Sequence, residues 1–235
     1  MNQHNAVISN SIKIIAIISS IYGMVRTIED LMGFTYFTNL SNVFIDIVLF
    51  LSLVLDIISG KSFSKKNYKT NMWYTLKYMA TISITATFMI YFFILAPTHE
   101  RGFLYAYFGN GAGSLCVHFI TPLLAIVDFF LYDYEYKSNK FHALYAMIPP
   151  LIYLLLVIFG ANVLGWRWGD MIAPYNFINY GAPTGWFGFD LSIMSDKTLG
   201  IGAFYMIVVL FAVFIVIGEI YLVIKDKIRK HKIQG

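Results

Sequence analysis

Charge is scarce in this sequence: Asp, Glu, Lys and Arg make up 13% of its 235 residues, against 58% hydrophobic, and the mean hydropathy is +0.67. That balance excludes an ordinary soluble domain. The single cysteine, Cys116, excludes an internal disulfide and any multi-cysteine metal motif, and itself reads as a small buried hydrophobe; no metal and no cofactor are expected. Segments of about ten residues with alternating polarity are missing, which excludes a membrane β-barrel. No small-x-small cleavage pattern follows the first apolar run, which therefore reads as a helix rather than a signal peptide. No internal repeat of the kind many transporters carry is visible. The net charge of +4 sits in short basic clusters beside apolar runs, so no nucleic-acid partner is expected.

What the chain does have is apolar runs of about 20 residues, the length that crosses a hydrocarbon core at 1.5 Å per residue. Six are expected, over Ser9 to Thr27, Tyr36 to Ile58, Met72 to Leu95, Gly111 to Tyr132, Phe141 to Leu164 and Leu199 to Ile224. The fold class is an all-α bundle of six transmembrane helices, one domain over 1–235, in the cell membrane with membrane lipids as its surroundings. Thirteen of the seventeen Lys and Arg fall on one side: Lys13, the Lys61 to Lys77 cluster, Lys137, Lys140 and the tail from Lys225 to Lys232. Only Arg26, Arg101, Arg167 and Lys197 fall on the other, so the positive-inside rule places both termini in the cytoplasm.

The fifth connection, 165–198, carries Trp166, Trp168, Tyr175, Phe177, Tyr180, Trp186, Phe187 and Phe189, with glycines and prolines that forbid a long helix. It reads as an interfacial aromatic belt or as a lid over a lipid site.

Ionisable side chains inside hydrocarbon are costly, which singles out Asp46, Lys77, His118, Asp128 and Glu219. Lys77 and Glu219 lie near the inner ends of their helices, and Asp128 is placed to neutralise Lys77. On the second helix Thr38, Asn42 and Asp46 recur every four residues and share one face. On the fourth, Ser114, His118, Thr121, Ala125 and Asp128 step by four, three, four and three, the seam of a helix packed on partners. Pro122 removes one backbone donor from that seam and is expected to disturb the helix one turn earlier. Counting from the outer ends, Thr38 and His118 can meet in the outer half of the bundle. Asp128, about 15 Å further along the same helix, is out of reach of His118, whereas Asp46 is close enough in depth to orient the ring.

A hydroxyl beside a neutral imidazole is the minimum apparatus for attack on an ester. The stretch Tyr36-Phe37-Thr38-Asn39-Leu40-Ser41-Asn42, with His118-Phe119-Ile120-Thr121-Pro122 and Asp128, resembles bacterial six-helix membrane proteins related to the androgen-induced membrane hydrolases. Pro174-Tyr175-Asn176-Phe177 is similar as well, with Asn176 where proline is expected. The resemblance implies hydrolysis of fatty acid esters of hydroxy fatty acids by a threonine nucleophile and a histidine, by position Thr38 and His118. Asn39, Ser41 and Asn42 are candidate oxyanion donors. The rival readings are a proton-coupled carrier using Asp46, His118 and Asp128, and a noncatalytic membrane partner whose polar stripes only join helices. In every reading the glycines of 109–113 serve close packing.

Overall fold

A computed structural model describes residues 3–59, 71–97, 99, 101–109, 111–132 and 141–234. Lys61, Lys65, Lys66, Lys69, Lys137, Lys140 and Asn110 lie outside the described residues. Nine α-helices are formed among the described residues: α1 Gln3–Thr27, α2 Phe37–Ser59, α3 Asn71–Ile90, α4 Phe103–Phe108, α5 Gly113–Leu115, α6 Thr121–Tyr132, α7 His142–Tyr145, α8 Ile148–Asn162 and α9 Ala203–Gln234. No β-strand occurs among the described residues, only isolated bridges. Among the described residues, six helical stretches are long and apolar enough to cross a membrane: Ala6–Thr27, Phe37–Ile58, Met72–Leu95, Gly113–Tyr132, His142–Asn162 and Ala203–His231. They fall where the apolar runs place them. The main difference is at α9, which continues through the basic tail because Lys, Arg and Ile are good or tolerable helix formers and no Gly or Pro occurs from 225 to 234.

The chain divides into two compact units, Met1–Ala146 with Ile217–Gly235, and Met147–Val216. In the first, α1 packs on α2 and α6, and α3 packs on the same two, so four helices close a ring. Every residue of α3 from Lys77 to Thr87 is buried. Its sequence there, rich in Ala, Ser and Thr, suits a helix enclosed by others, since small side chains let backbones approach and hydroxyls satisfy one another. Thr81, Ser83, Thr85 and Thr87 each donate to the carbonyl four residues earlier, while Thr85 also bonds Tyr221 at 2.6 Å and Thr87 bonds Ser41 at 2.8 Å. At the α1 crossing, a Cβ on Gly23 would stand 2.9 Å from the Gly113 carbonyl, so the absence of a side chain sets the approach.

In the second unit, α8 leads into the 165–198 connection, which is ordered without regular helices longer than a single turn. Trp166 packs on Gly160, Asn162 donates to the Tyr180 hydroxyl at 2.8 Å, and the Tyr180 ring stacks on Trp186 with centroids 4.7 Å apart. Lys197 holds Asp170 at 2.7 Å and keeps that carboxyl below the usual carboxylate range, though both side chains are exposed.

Candidate functional site

Among the described residues of the first unit, two five-residue π turns interrupt the apolar helices, Tyr91–Leu95 after α3 and Cys116–Ile120 between α5 and α6. Each is followed two residues later by a proline, Pro97 and Pro122. Proline lacks an N–H and its ring collides with the carbonyl four residues back, here those of Phe93 and His118. Widening the preceding turn relieves that collision: Ala96 donates to Tyr91 at 2.8 Å and Thr121 donates to Cys116, both reaching five residues back instead of four. The expected disturbance ahead of Pro122 therefore takes the form of an extra residue in the turn that carries His118.

These turns bring Tyr91 and His118 face to face, with ring centroids 3.6 Å apart and planes 5° from parallel. The Tyr91 hydroxyl donates to the Ala106 carbonyl at 2.6 Å, fixing its ring to α4. Tyr107 meets Tyr91 edge-on at 5.1 Å. Burial, and then its neighbour Tyr91, push the Tyr107 phenol up to about 12, so it remains a donor at neutral pH. The His118 Nδ1 and the Tyr107 hydroxyl are both buried without a hydrogen-bond partner among the described residues.

Asn42, fully buried on α2, joins the other half of the site. Its amide nitrogen donates to the carbonyl of Thr38 at 2.9 Å and to that of Val117 at 3.2 Å, while its oxygen accepts from Ser20. The Thr38 and Val117 carbonyl oxygens are therefore within about 6 Å, the span of two hydrogen bonds. Thr38 is half-buried, and only its carbonyl is engaged among the described residues, accepting from Ser41 as well as Asn42.

Two of the three candidate oxyanion donors are committed elsewhere. Asn39 donates one amide N–H to Gly33 at 2.8 Å and keeps its second, whereas Ser41 donates its hydroxyl to Thr38 at 2.8 Å and Asn42 uses both amide hydrogens to bridge the two helices, so oxyanion donation by Ser41 or Asn42 requires one of these bonds to open. Asp46 is half-buried, with Oδ1 lacking a partner and Ser20 facing its carboxylate. No hydrogen bond joins Asp46 to His118 among the described residues; the imidazole is held by the Tyr91 face instead. The remaining seam residues Thr121, Ala125 and Asp128 are buried at 0%, 1% and 0% exposure.

Asp128 pairs with Lys77 at 2.6 Å and with Lys13 at 3.3 Å, and accepts from Ser9 at 2.9 Å; Lys13 also reaches Asp56 at 3.3 Å. Lys77 thus lies inside the unit rather than extending to a surface, because a buried carboxylate offers it a closer counter-charge than water does. Glu219, by contrast, is exposed on α9. Lys13 and Asp56 escape a reading that assigns charges near helix ends to the interface. A signal was present: Ser9, Lys13, Ala16, Ser20 and Gly23 step by four, three, four and three, and all are buried. Tyr91 was also missed, because only the proline two residues past its π turn marks it. No group of three or more His, Cys, Asp or Glu among the described residues is placed to hold a metal ion.

Compared with known family models, characterised proteins and solved structures, this chain has no match.

Proposed function

We propose that this chain is a multi-pass membrane protein with both termini in the cytoplasm, and that it hydrolyses fatty acyl esters with Thr38 as nucleophile and His118 as base. The observation that carries the reading is the Asn42 bridge, which holds the Thr38 turn against the turn bearing His118. The resemblance of the Thr38 and His118 segments to the androgen-induced membrane hydrolases supports it from the sequence. In this mechanism the Thr38 oxygen attacks the acyl carbonyl carbon while His118 accepts its proton. The proton then passes to the departing alcohol oxygen, leaving an acyl ester on Thr38. Water, deprotonated by the same imidazole, cleaves that ester and restores the hydroxyl. Lipid substrates enter sideways from the bilayer.

The carrier reading draws less support. A relay through Asp128 must detach that carboxylate from two lysines, Lys77 at 2.6 Å and Lys13 at 3.3 Å. The deciding experiment uses purified protein in detergent with a panel of long-chain acyl esters, since no gradient exists there. Turnover is expected; if every ester is left intact, the carrier reading becomes the better one. For the orientation, a tag after Ile224 is expected to resist protease added outside intact cells, and cleavage there would reverse the assignment.

Tyr91 provides a sharper test of the geometry. Tyr91→Phe keeps the stacked face and is expected to retain most activity. Tyr91→Ala frees the imidazole, and kcat is expected to fall on the order of 10²-fold with KM little changed, the usual result of misplacing a reacting group by about 1 Å. Equal kcat in the two variants would remove Tyr91 from the site.

A further inference from the structure

We propose that the 185–194 stretch dips into the lipid headgroup boundary beside the start of α9, presenting Phe187 and Phe189 to the bilayer. The inference rests on reading α9 as membrane-spanning, and concerns a part of the chain that the hydrolase reading does not use. Its first support is the way the stretch is fastened. The first N–H groups of a helix lack partners within it, and here the loop supplies them: Ala203 donates to Gly185 at 3.1 Å and Phe204 to Trp186 at 3.0 Å. Gly202 donates to Gly188 and Asp190 to Gly200, at 2.8 and 2.7 Å. A Cβ on Gly202 would meet the Trp186 carbonyl at 2.5 Å, so the two backbones touch. The stretch is thereby held at the level where the apolar part of α9 begins.

The second support is what it exposes there. Phe187 and Phe189 are 65% and 68% exposed, and Phe187 meets Phe204 with centroids 5.2 Å apart, continuing the exposed apolar face of α9 through Tyr205, Val208 and Val209. Leu191 and Met194 are exposed on the same stretch. Its one acidic side chain before Met194, Asp190, is turned onto the Ser192 hydroxyl and amide. Aromatic side chains at this level suit the interface, where apolar groups enter about 5–10 Å deep, and the N–H groups of Gly188, Asp190 and Ser192 are already bonded within the stretch and its neighbours. Lipid is the favoured occupant because the patch is continuous with the exposed face of α9, a helix long and apolar enough to cross a membrane.

The test uses the full chain with Cys116→Ala and one cysteine at a time, Phe187→Cys, Phe189→Cys, Asp196→Cys or Val209→Cys, each carrying an NBD fluorophore in phosphatidylcholine vesicles. If Cys116→Ala does not fold, the native residue is kept, since its thiol is buried. Labels at 187 and 189 are expected to be quenched several-fold more by shallow nitroxide lipids than the label at 196, and several-fold less by iodide. If they instead behave as the label at 196, the proposal is overturned. Shielding from both quenchers places a protein there and also overturns it. The label at 209 separates the two layers of the argument: iodide quenching at that position removes the spanning reading of α9 itself, whereas lipid quenching at 209 with iodide quenching at 187 and 189 removes only this proposal.

Discussion

Thr38→Ala is expected to abolish ester hydrolysis and labelling by an activity-based fluorophosphonate probe, while leaving thermal stability in detergent close to that of the parent. The loss follows from chemistry, because no other atom at this position can form the acyl ester. The stability expectation follows from the bonding of the residue. Thr38 contributes its carbonyl to Ser41 and Asn42, and a substitution at the side chain leaves that carbonyl in place. Loss of a nucleophile that works with its base as a unit typically removes most of the catalysis above the binding background, a reduction on the order of 10³-fold or more. His118→Ala should reduce turnover to the same floor, and the double variant should fall no further. Wild-type hydrolysis in Thr38→Ala would end the threonine mechanism. A much lower melting temperature in that variant would show that the hydroxyl holds the fold, and the activity loss could then no longer be assigned to chemistry.

The largest effect on stability is expected at the buried ion cluster. Asp128→Ala removes the carboxylate that Lys77 approaches at 2.6 Å and Lys13 at 3.3 Å, with Asp128 itself wholly inaccessible. Removing one partner of a buried ion pair costs about 3–5 kcal/mol. Thermal unfolding in detergent should therefore move down by many degrees. Because Asp128 lies ten residues beyond His118, about 15 Å in helical rise, the ester chemistry of whatever remains folded should be spared. A double-mutant cycle makes the test specific. Lys77→Met with Asp128→Leu replaces the pair by apolar groups of similar length, an exchange that is commonly neutral, so the double variant should recover much of what Asp128→Ala loses. Equal melting temperatures for the parent and Asp128→Ala would show that the cluster contributes nothing to the fold.

The six apolar helices were legible because length and hydropathy are one-dimensional properties, and a run such as Val43 to Leu55 declares itself. Which helix is enclosed was not, since in an apolar solvent hydrophobicity no longer distinguishes inside from outside. The usable mark was the opposite one, the small and hydroxyl residues from Ala80 to Thr87 on α3. The inner half of the fourth seam followed its spacing, with Thr121, Ala125 and Asp128 all buried. Its outer half did not follow as fully, because the π turn at Cys116–Ile120 inserts a residue and shifts the phase of everything before it. Ser114 and His118 are consequently only half-buried. The pairing of Asp128 with Lys77 could be read from depth and charge alone. The second lysine could not, since Lys13 was counted as a flanking charge although its helix carries the same heptad step. The stacking of Tyr91 on His118 depends on two turns from distant segments, and no local pattern encodes a contact of that kind.

The ion cluster also imposes an order on biosynthesis. Ser9 and Asp128, which share a hydrogen bond, are separated by 119 residues, whereas Lys13 and Asp56 are separated by 43. At ribosomal rates of about 5–20 residues per second, the first helix waits several seconds for its first counter-ion and on the order of ten seconds for its second. During that interval Lys13 has Asp56 alone, so the first two helices can form a hairpin before the rest of the unit exists. Lys77 emerges next, ahead of Asp128, and the arrival of the fourth apolar helix brings the carboxylate that Lys13 and Lys77 share. Asp128 is thus the last member of the cluster to be made, and the fourth apolar helix is the one that joins Lys13 and Lys77 through a shared carboxylate.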